Sequence, residues 1–132
     1  MTTIIKTVED LQNLIALTPA TDIEISDAEL QLCLRFSEEY KTYLAHFGAV
    51  FADGIELTGI AKSENRNVVS VTRQEWKLNS QVPHNLYVIE NLGIDGVIIW
   101  QDSNGAVYQT TPNREPVKVA DSLNMYISQI RD

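Results

Sequence analysis

The chain has 132 residues, which suits one domain because domains commonly have about 100 to 200 residues. Apolar residues make up 44% of the composition and charged residues 21%, as in globular proteins and unlike disordered ones. Eighteen Asp and Glu residues oppose ten Lys and Arg residues, giving a formal net charge of −8. This excess of acid disfavours direct nucleic-acid binding, since affinity for a phosphate backbone depends on Lys and Arg.

The number of cysteines and the length of the apolar stretches indicate the cellular compartment of the protein. Cys33 is the single cysteine, which excludes an intramolecular disulfide and a multi-thiolate metal site. Its spacing from Leu30 and Leu34 predicts a buried core position. Residues 1–6 lack a signal-peptide stretch, and no run approaches the roughly 18 apolar residues of a membrane span. We therefore expect a cytoplasmic protein with no membrane contact.

The first third of the chain is predicted to be helical. Thr7 is a candidate N-cap for a first helix, which Pro19 would end. Residues 26–29 have the Ser-x-x-Glu form of a capping box and would begin a second helix. Ser37 would cap a third helix, and Gly48 would end it. The apolar positions assigned to these helices are Val8, Leu11, Leu14 and Ile15 in the first, Leu30, Cys33 and Leu34 in the second, and Tyr40, Tyr43, Leu44 and Phe47 in the third.

Short runs rich in Val, Ile and Tyr follow from Ile55 onward, separated by turn residues. Asn104 and Gly105 predict a tight hairpin because both tolerate positive φ angles, and Ser122 would cap a last helix. The predicted strands are residues 55–60, 67–72, 86–90, 96–101, 106–110 and 116–119. The predicted fold class is α+β: one domain over residues 1–132, with N-terminal helices, a central, mostly antiparallel sheet of about six strands and a C-terminal helix.

Few side chains suit catalysis. His46 and His84 are the two histidines, and each is interpreted as a structural or surface residue. The chain has no Gly-x-Ser-x-Gly elbow, no His-Glu-x-x-His pair and no Walker loop. The glycines around Asp95 are best explained as a turn. We expect a protein that is not an enzyme and holds no cofactor or metal; a hydrolase that uses His46, His84 or Asp95 is a distant third hypothesis.

The acidic charge is concentrated in the first half of the chain, which has a net charge of −6 over residues 1–66 against −2 over residues 67–132. An acidic face is often only solvated surface. It also suits a basic partner, since complementary charge speeds association and suppresses wrong partners. The candidate partner-binding residues are Asp22, Glu24, Asp27, Glu29, Glu38 and Glu39 in the helices, and Asp53, Glu56, Asp95 and Asp102 in loops and strands.

Several segments between about residues 23 and 130 match a known family in their order and spacing. They are Ser37–Leu44, Gly54–Ile60, Asn67–Thr72, Leu86–Glu90, Gly93–Gly96, Gly105–Tyr108 and Ala120–Leu123. Together they resemble the SUKH superfamily, an α+β domain named after a yeast cell-wall-assembly regulator and common in bacteria as polymorphic-toxin immunity proteins. Two local departures are Phe36-Ser37 in place of a Leu-Pro pair and Ala49-Val50 in place of Asn-Gly.

The resemblance implies a binding protein that is encoded beside a toxin and blocks it by direct contact. The leading hypothesis is an immunity protein, or antitoxin, that neutralises a cognate basic toxin domain of the nuclease class. The alternative is a non-enzymatic scaffold or regulatory module of the same fold, with a groove in which Trp76 and Trp100 would matter, although both suit the core. The sequence is also compatible with a homodimer.

Overall fold

The structure is a computed structural model that describes residues 3–131. Within these residues the helices are α1 (Ile4–Glu9), α2 (Asp22–Leu32), α3 (Glu38–Phe47), α4 (Val68–Leu78) and α5 (Leu123–Arg131). The strands are β1 (Ile15–Ala16), β2 (Val50–Ala52), β3 (Ile55–Leu57), β4 (Tyr87–Asn91), β5 (Ile98–Gln101), β6 (Val107–Thr110) and β7 (Val117–Ala120). The α+β class and the C-terminal helix are confirmed.

The described strands form two antiparallel sheets, β1-β2-β3 and β4-β5-β6-β7. Seven strands in two sheets replace the expected single sheet of about six, because β1 and β2 are too short to show a hydrophobic period. The predicted hairpin is confirmed. Gln101 pairs with Val107 across it, and Gly105 supplies the positive φ angle of 99° that the turn needs.

Residues 67–72, predicted as a strand, begin helix α4 instead. Asn67 is the N-cap, and its side-chain oxygen accepts a hydrogen bond from the Val69 amide at 2.9 Å. The β-branched residues of this segment favour strands. Their helical spacing, however, lets one face of α4 pack on the sheet, and this packing outweighs their strand propensity. The buried residues of the helix are Val68, Val69, Val71 and Thr72.

The first helix starts and ends earlier than predicted. Thr3, not Thr7, is the N-cap of α1, and its side chain accepts a hydrogen bond from the Lys6 amide. Thr7 is buried instead, and its hydroxyl bonds to Asn124 of α5. Since α1 ends at Glu9, Ile15 is not helical but lies in β1, where it is exposed.

Helix α2 also begins earlier than predicted. Thr21 and Glu24 form the capping box, not the pair at residues 26–29, although both pairs have the same sequence pattern. The earlier start places Ile25, Ala28 and Leu32 in the core. As a result, Leu30 is 75% exposed, Leu34 is half-buried and Cys33 is exposed. The prediction of a core cysteine was wrong because Cys33 follows the helix as its C-cap, with a positive φ of 55°.

The other helix ends agree with the sequence. The Ser37 hydroxyl accepts a hydrogen bond from the Tyr40 amide at 3.0 Å, and the Ser122 hydroxyl accepts one from the Met125 amide at 3.0 Å. Gly48 ends α3 with a φ of 76°, and a Cβ atom there would lie 2.1 Å from the Thr18 carbonyl oxygen. Side chains therefore cap α3 and α5 where predicted.

Apolar side chains cover both faces of the four-stranded sheet. Tyr87 and Ile99 belong to the larger core, which residues of all five described helices and of β2 and β3 complete. Val88, Ile98 and Trp100 point to a second cluster with residues of α4 and of the loop after it. Every residue of β5 is buried, because this strand is covered on both sides.

Tyrosine hydroxyls connect α3 to the strands inside the core. The Tyr40 hydroxyl donates to Thr58 Oγ1 at 2.9 Å, and Thr58 Oγ1 donates to the Val88 carbonyl at 2.7 Å. The Tyr43 hydroxyl donates to the Thr58 carbonyl at 2.9 Å and accepts from the Val50 amide at 3.0 Å. Burial raises the pKa of both tyrosines, so they remain neutral donors.

The Glu39 carboxylate joins α3, the sheet and α5. It accepts hydrogen bonds from the Leu123 amide at 2.7 Å and the Asn124 amide at 2.9 Å, both in the first turn of α5. It also accepts from Gln101 Nε2 at 3.0 Å. Gln101 is fully buried, and its Oε1 accepts from the Tyr87 hydroxyl at 2.8 Å. A carboxylate on α3 thus accepts hydrogen bonds from backbone amides that the first turn of α5 leaves unpaired.

Glu90 is a second carboxylate that contacts α5, and only 3% of its surface is exposed. Its oxygens accept hydrogen bonds from the Tyr126 hydroxyl at 2.6 Å and the Glu56 amide at 2.9 Å. Burial raises the pKa of Glu90, and the nearby Glu56 carboxylate raises it further, while the two hydrogen bonds lower it; the net direction is upward.

We predict that Glu39→Gln lowers the free energy of unfolding by about 2 kcal/mol, because a neutral amide cannot accept all three hydrogen bonds. Urea denaturation measures this loss. Glu38→Gln is the matched control on the same helix turn, where Glu38 pairs with Lys41 on the surface, and it should cost less than about 0.5 kcal/mol. Equal losses for the two variants would contradict the assigned role of Glu39.

Glu90 should make stability depend on pH. Because its pKa is higher in the folded protein than in the unfolded chain, its contribution is fully present below the ordinary Glu pKa of about 4.3 and is lost as pH rises through the raised pKa. We predict that the unfolding free energy of the native chain, relative to Glu90→Gln, falls as pH rises from about 4 through the raised pKa of Glu90. Denaturation at several pH values tests this, and a difference that grows with pH would refute it.

Candidate functional site

Four of the ten candidate acids hold local structure. Glu24 accepts a hydrogen bond from the Thr21 amide at 2.9 Å, and Glu29 accepts one from the Phe36 amide at 2.8 Å. Glu39 caps α5, as described above. Asp102 accepts from two amides of the β5–β6 hairpin, those of Asn104 and Ala106, at 2.9 Å and 3.1 Å. Substituting any of these acids would disturb the fold as well as any binding.

The other six candidate acids are exposed and divide into three groups. Asp22 and Asp27 lie on α2, and Glu38 begins α3. The third group lies near the β2–β3 turn and in the β4–β5 loop, and consists of Asp53, Glu56 and Asp95. Their contacts are with exposed or partly exposed side chains: Asp27 with Gln31 at 2.7 Å, Glu38 with Lys41 at 3.1 Å, Asp53 with Asn13 at 2.6 Å and Glu56 with Arg66 at 3.2 Å. The structure does not bring the ten acids together in one site.

A cavity of about 310 Å³ lies beside the third group of acids. Glu56 and Glu75 line it, and burial raises the pKa of the half-buried Glu75. Arg66 also lines it, while its guanidinium pairs with Glu56 and sits 4.3 Å from the centre of the Phe51 ring. The cationic charge in the cavity is thus already paired within the chain.

The two histidines have separate neighbours. His46 is exposed on α3, with Nε2 at 4.0 Å from Glu9 Oε2 and its ring edge-on to Phe47. His84 stacks parallel on Trp76 with ring centroids 4.1 Å apart, and the indole Nε1 donates to a backbone carbonyl. Across residues 3–131 no three His, Cys, Asp or Glu side chains are grouped so that they could hold a metal ion.

The sequence did not predict the burial of Glu90 or the exposure of two apolar residues on α2. Glu90 is a buried carboxylate in a strand whose other buried residues are Tyr87, Val88 and Ile89, and that contrast was a usable signal. Ile23 and Leu30 project from α2 with exposed fractions of 82% and 75%. Their exposure follows from the true start of the helix at Thr21, which the second capping-box pattern in the same segment obscured.

Helices within the described residues are too short or too polar to cross a membrane. A search of curated proteins found no significant match. A protein-family model, SUKH_5, described as SMI1-KNR4 cell-wall, matches residues 1–131 and so covers nearly the whole chain. The chain therefore belongs to the SUKH family of SMI1-KNR4 type.

Proposed function

We propose that this chain is an immunity protein, an antitoxin that binds a cognate basic toxin domain in the cytoplasm and neutralises it without catalysis. Membership of the SUKH family supports the proposal, since many members are immunity proteins. The net charge of −8 supports a basic partner. A nuclease domain is the class that fits best, because its Lys and Arg side chains bind phosphates and carboxylates can occupy the same positions. The chain itself would contact neither nucleic acid nor membrane.

The observation that carries the proposal is the set of six exposed acids that hold no part of the core. Their surface contacts contribute little to stability, since exposed ion pairs are worth about 0 to 1 kcal/mol. A like-signed surface charge also costs some self-repulsion. An electrostatic partner would give these acids a role that stability does not. The six are Asp22, Asp27, Glu38, Asp53, Glu56 and Asp95.

The alternative, a scaffold or regulatory module with an aromatic groove, has less support. Trp100 is fully buried, and Trp76 is half-buried beneath the stacked His84 ring. Neither indole is thus presented as an open face to a ligand. A hydrolase has less support still, because His46 and His84 have separate ring neighbours.

Co-expression with the C-terminal domain encoded immediately upstream tests the proposal. We expect that domain to kill cells when expressed alone, and we expect this chain to restore growth and to co-purify with it. Toxicity without rescue, or rescue without a complex, would contradict neutralisation by direct contact.

Salt dependence tests the electrostatic part of the proposal separately. We predict that the association rate of the complex falls about tenfold or more between low and physiological ionic strength, because counterions screen the steering charge. The dissociation rate should change much less. Stopped-flow fluorescence measures both rates, and an association rate that is indifferent to salt would show that the acids do not steer the partner.

A further inference from the structure

An apolar ridge lies on the outward face of α2. Ile23 and Leu30 are seven residues apart and therefore lie on the same side of the helix, two turns from each other. Both are more than 70% exposed, whereas Ile25, Ala28 and Leu32 on the opposite side are buried. The helix is thus apolar on two opposite faces, and the core explains only one of them.

Carboxylates flank this ridge. Helix α2 carries four acids and no base, and two of the acids, Asp22 and Asp27, are exposed and hold no backbone of the core. Two bases line the neighbouring groove: Arg73 of α4, which donates to the Gln31 carbonyl at 2.8 Å, and Lys62. A partner with an apolar patch and a basic rim would therefore complement this face.

The ridge stands between two hollows. One hollow of about 340 Å³ separates α2 from α4, and Asp27 contributes to its wall. The other, of about 650 Å³, lies at the C-terminal end of α2, with Leu30, Cys33 and Leu34 in its wall. Arg35 and Lys41 also line it, and Lys41 pairs with Glu38. Side chains of a partner could enter both hollows around the ridge, which is the shape that central anchor residues require.

We propose that this surface is where the toxin domain docks. We define the α2 outward face as Asp22, Ile23, Asp27 and Leu30, with Ile23 and Leu30 as the apolar anchors and the two acids as the rim that pairs with toxin Lys and Arg. The inference rests on the proposed function, and it specifies which surface performs it. A second copy of this chain is a poorer occupant, because two such faces would place like charges opposite each other.

Binding of purified variants to the upstream-encoded domain tests the assignment by isothermal titration calorimetry. We expect Ile23→Ser with Leu30→Ser to weaken binding at least about tenfold, since both anchors are lost. Leu92→Ser with Ile94→Ser is the matched control, because that pair is also apolar and exposed but lies in the β4–β5 loop. The control pair should change affinity less than about threefold.

A charge test uses the same design. Asp22→Asn with Asp27→Asn should slow association more than Asp53→Asn with Asp95→Asn, because the second pair removes the same charge from the long-range field but lies away from the α2 outward face. All these side chains are exposed, so thermal denaturation should show the variants to be folded.

Three results would overturn the inference. If the variants of the β2–β3 and β4–β5 loops lose binding and the α2 variants do not, the interface lies at those loops and not on α2. The proposed immunity function would then still hold. A dimer of this chain that Ile23→Ser with Leu30→Ser dissociates, seen by light scattering, would make a second copy the occupant. Failure of the native chain to bind the domain would refute the proposed function and the docking surface with it.

Discussion

The packing of the C-terminal helix depends on the hydrogen bonds that the Glu39 carboxylate accepts. This carboxylate lies where α3, β5 and the first turn of α5 meet, and its three hydrogen bonds satisfy two helix amides and the buried Gln101. Gln101 in turn binds the Tyr87 hydroxyl and the Ser37 cap, so one network spans the start of α3 and the centre of the sheet. Disturbing it would loosen α5, which Glu90 and Tyr126 hold from the other side.

This network separates the acids of the chain into two kinds. Glu24, Glu29, Glu39 and Asp102 each accept backbone amides and belong to the architecture. The six exposed candidate acids contribute to the surface potential, and the contacts of their side chains are with other surface side chains. Composition alone cannot make this distinction, since net charge counts both kinds equally. The six exposed candidate acids lie on α2, at the start of α3, and around the β2–β3 turn and the β4–β5 loop. The candidate surface is therefore limited to these three places.

The sequence could predict features that depend on a few neighbouring residues. Ser37, Gly48 and Ser122 act locally on backbone groups, and the Asn104-Gly105 turn fixes its own hairpin. The resemblance to the SUKH family, based on the order of whole segments, is also confirmed.

The errors arose where tertiary packing decided between two local patterns. The valines of residues 67–72 favour a strand by propensity, but they bury a helix face against the sheet. Two capping-box patterns compete at the start of α2, and only the earlier one places Ile25 inside. That choice of start explains the misplacement of Leu30, whereas Cys33 was misplaced because it follows α2 as its C-cap. The choice of start is also the reason that the exposure of Ile23 and Leu30 could not be predicted, since it depends on Ile25, Ala28 and Leu32 being in the core.

Cys33 offers the most direct test of the account, because it is the single thiol of the chain and lies exposed at the end of α2, in the wall of the hollow beside Leu30. We would measure by mass spectrometry how fast it is alkylated, with and without the domain encoded immediately upstream, the proposed partner, using Cys33→Ser with Ile94→Cys as a reporter in the β4–β5 loop. If the α2 outward face is the interface, the partner should slow alkylation of Cys33 and leave the thiol at position 94 unaffected. Unchanged labelling of Cys33 together with protection at position 94 would contradict the account.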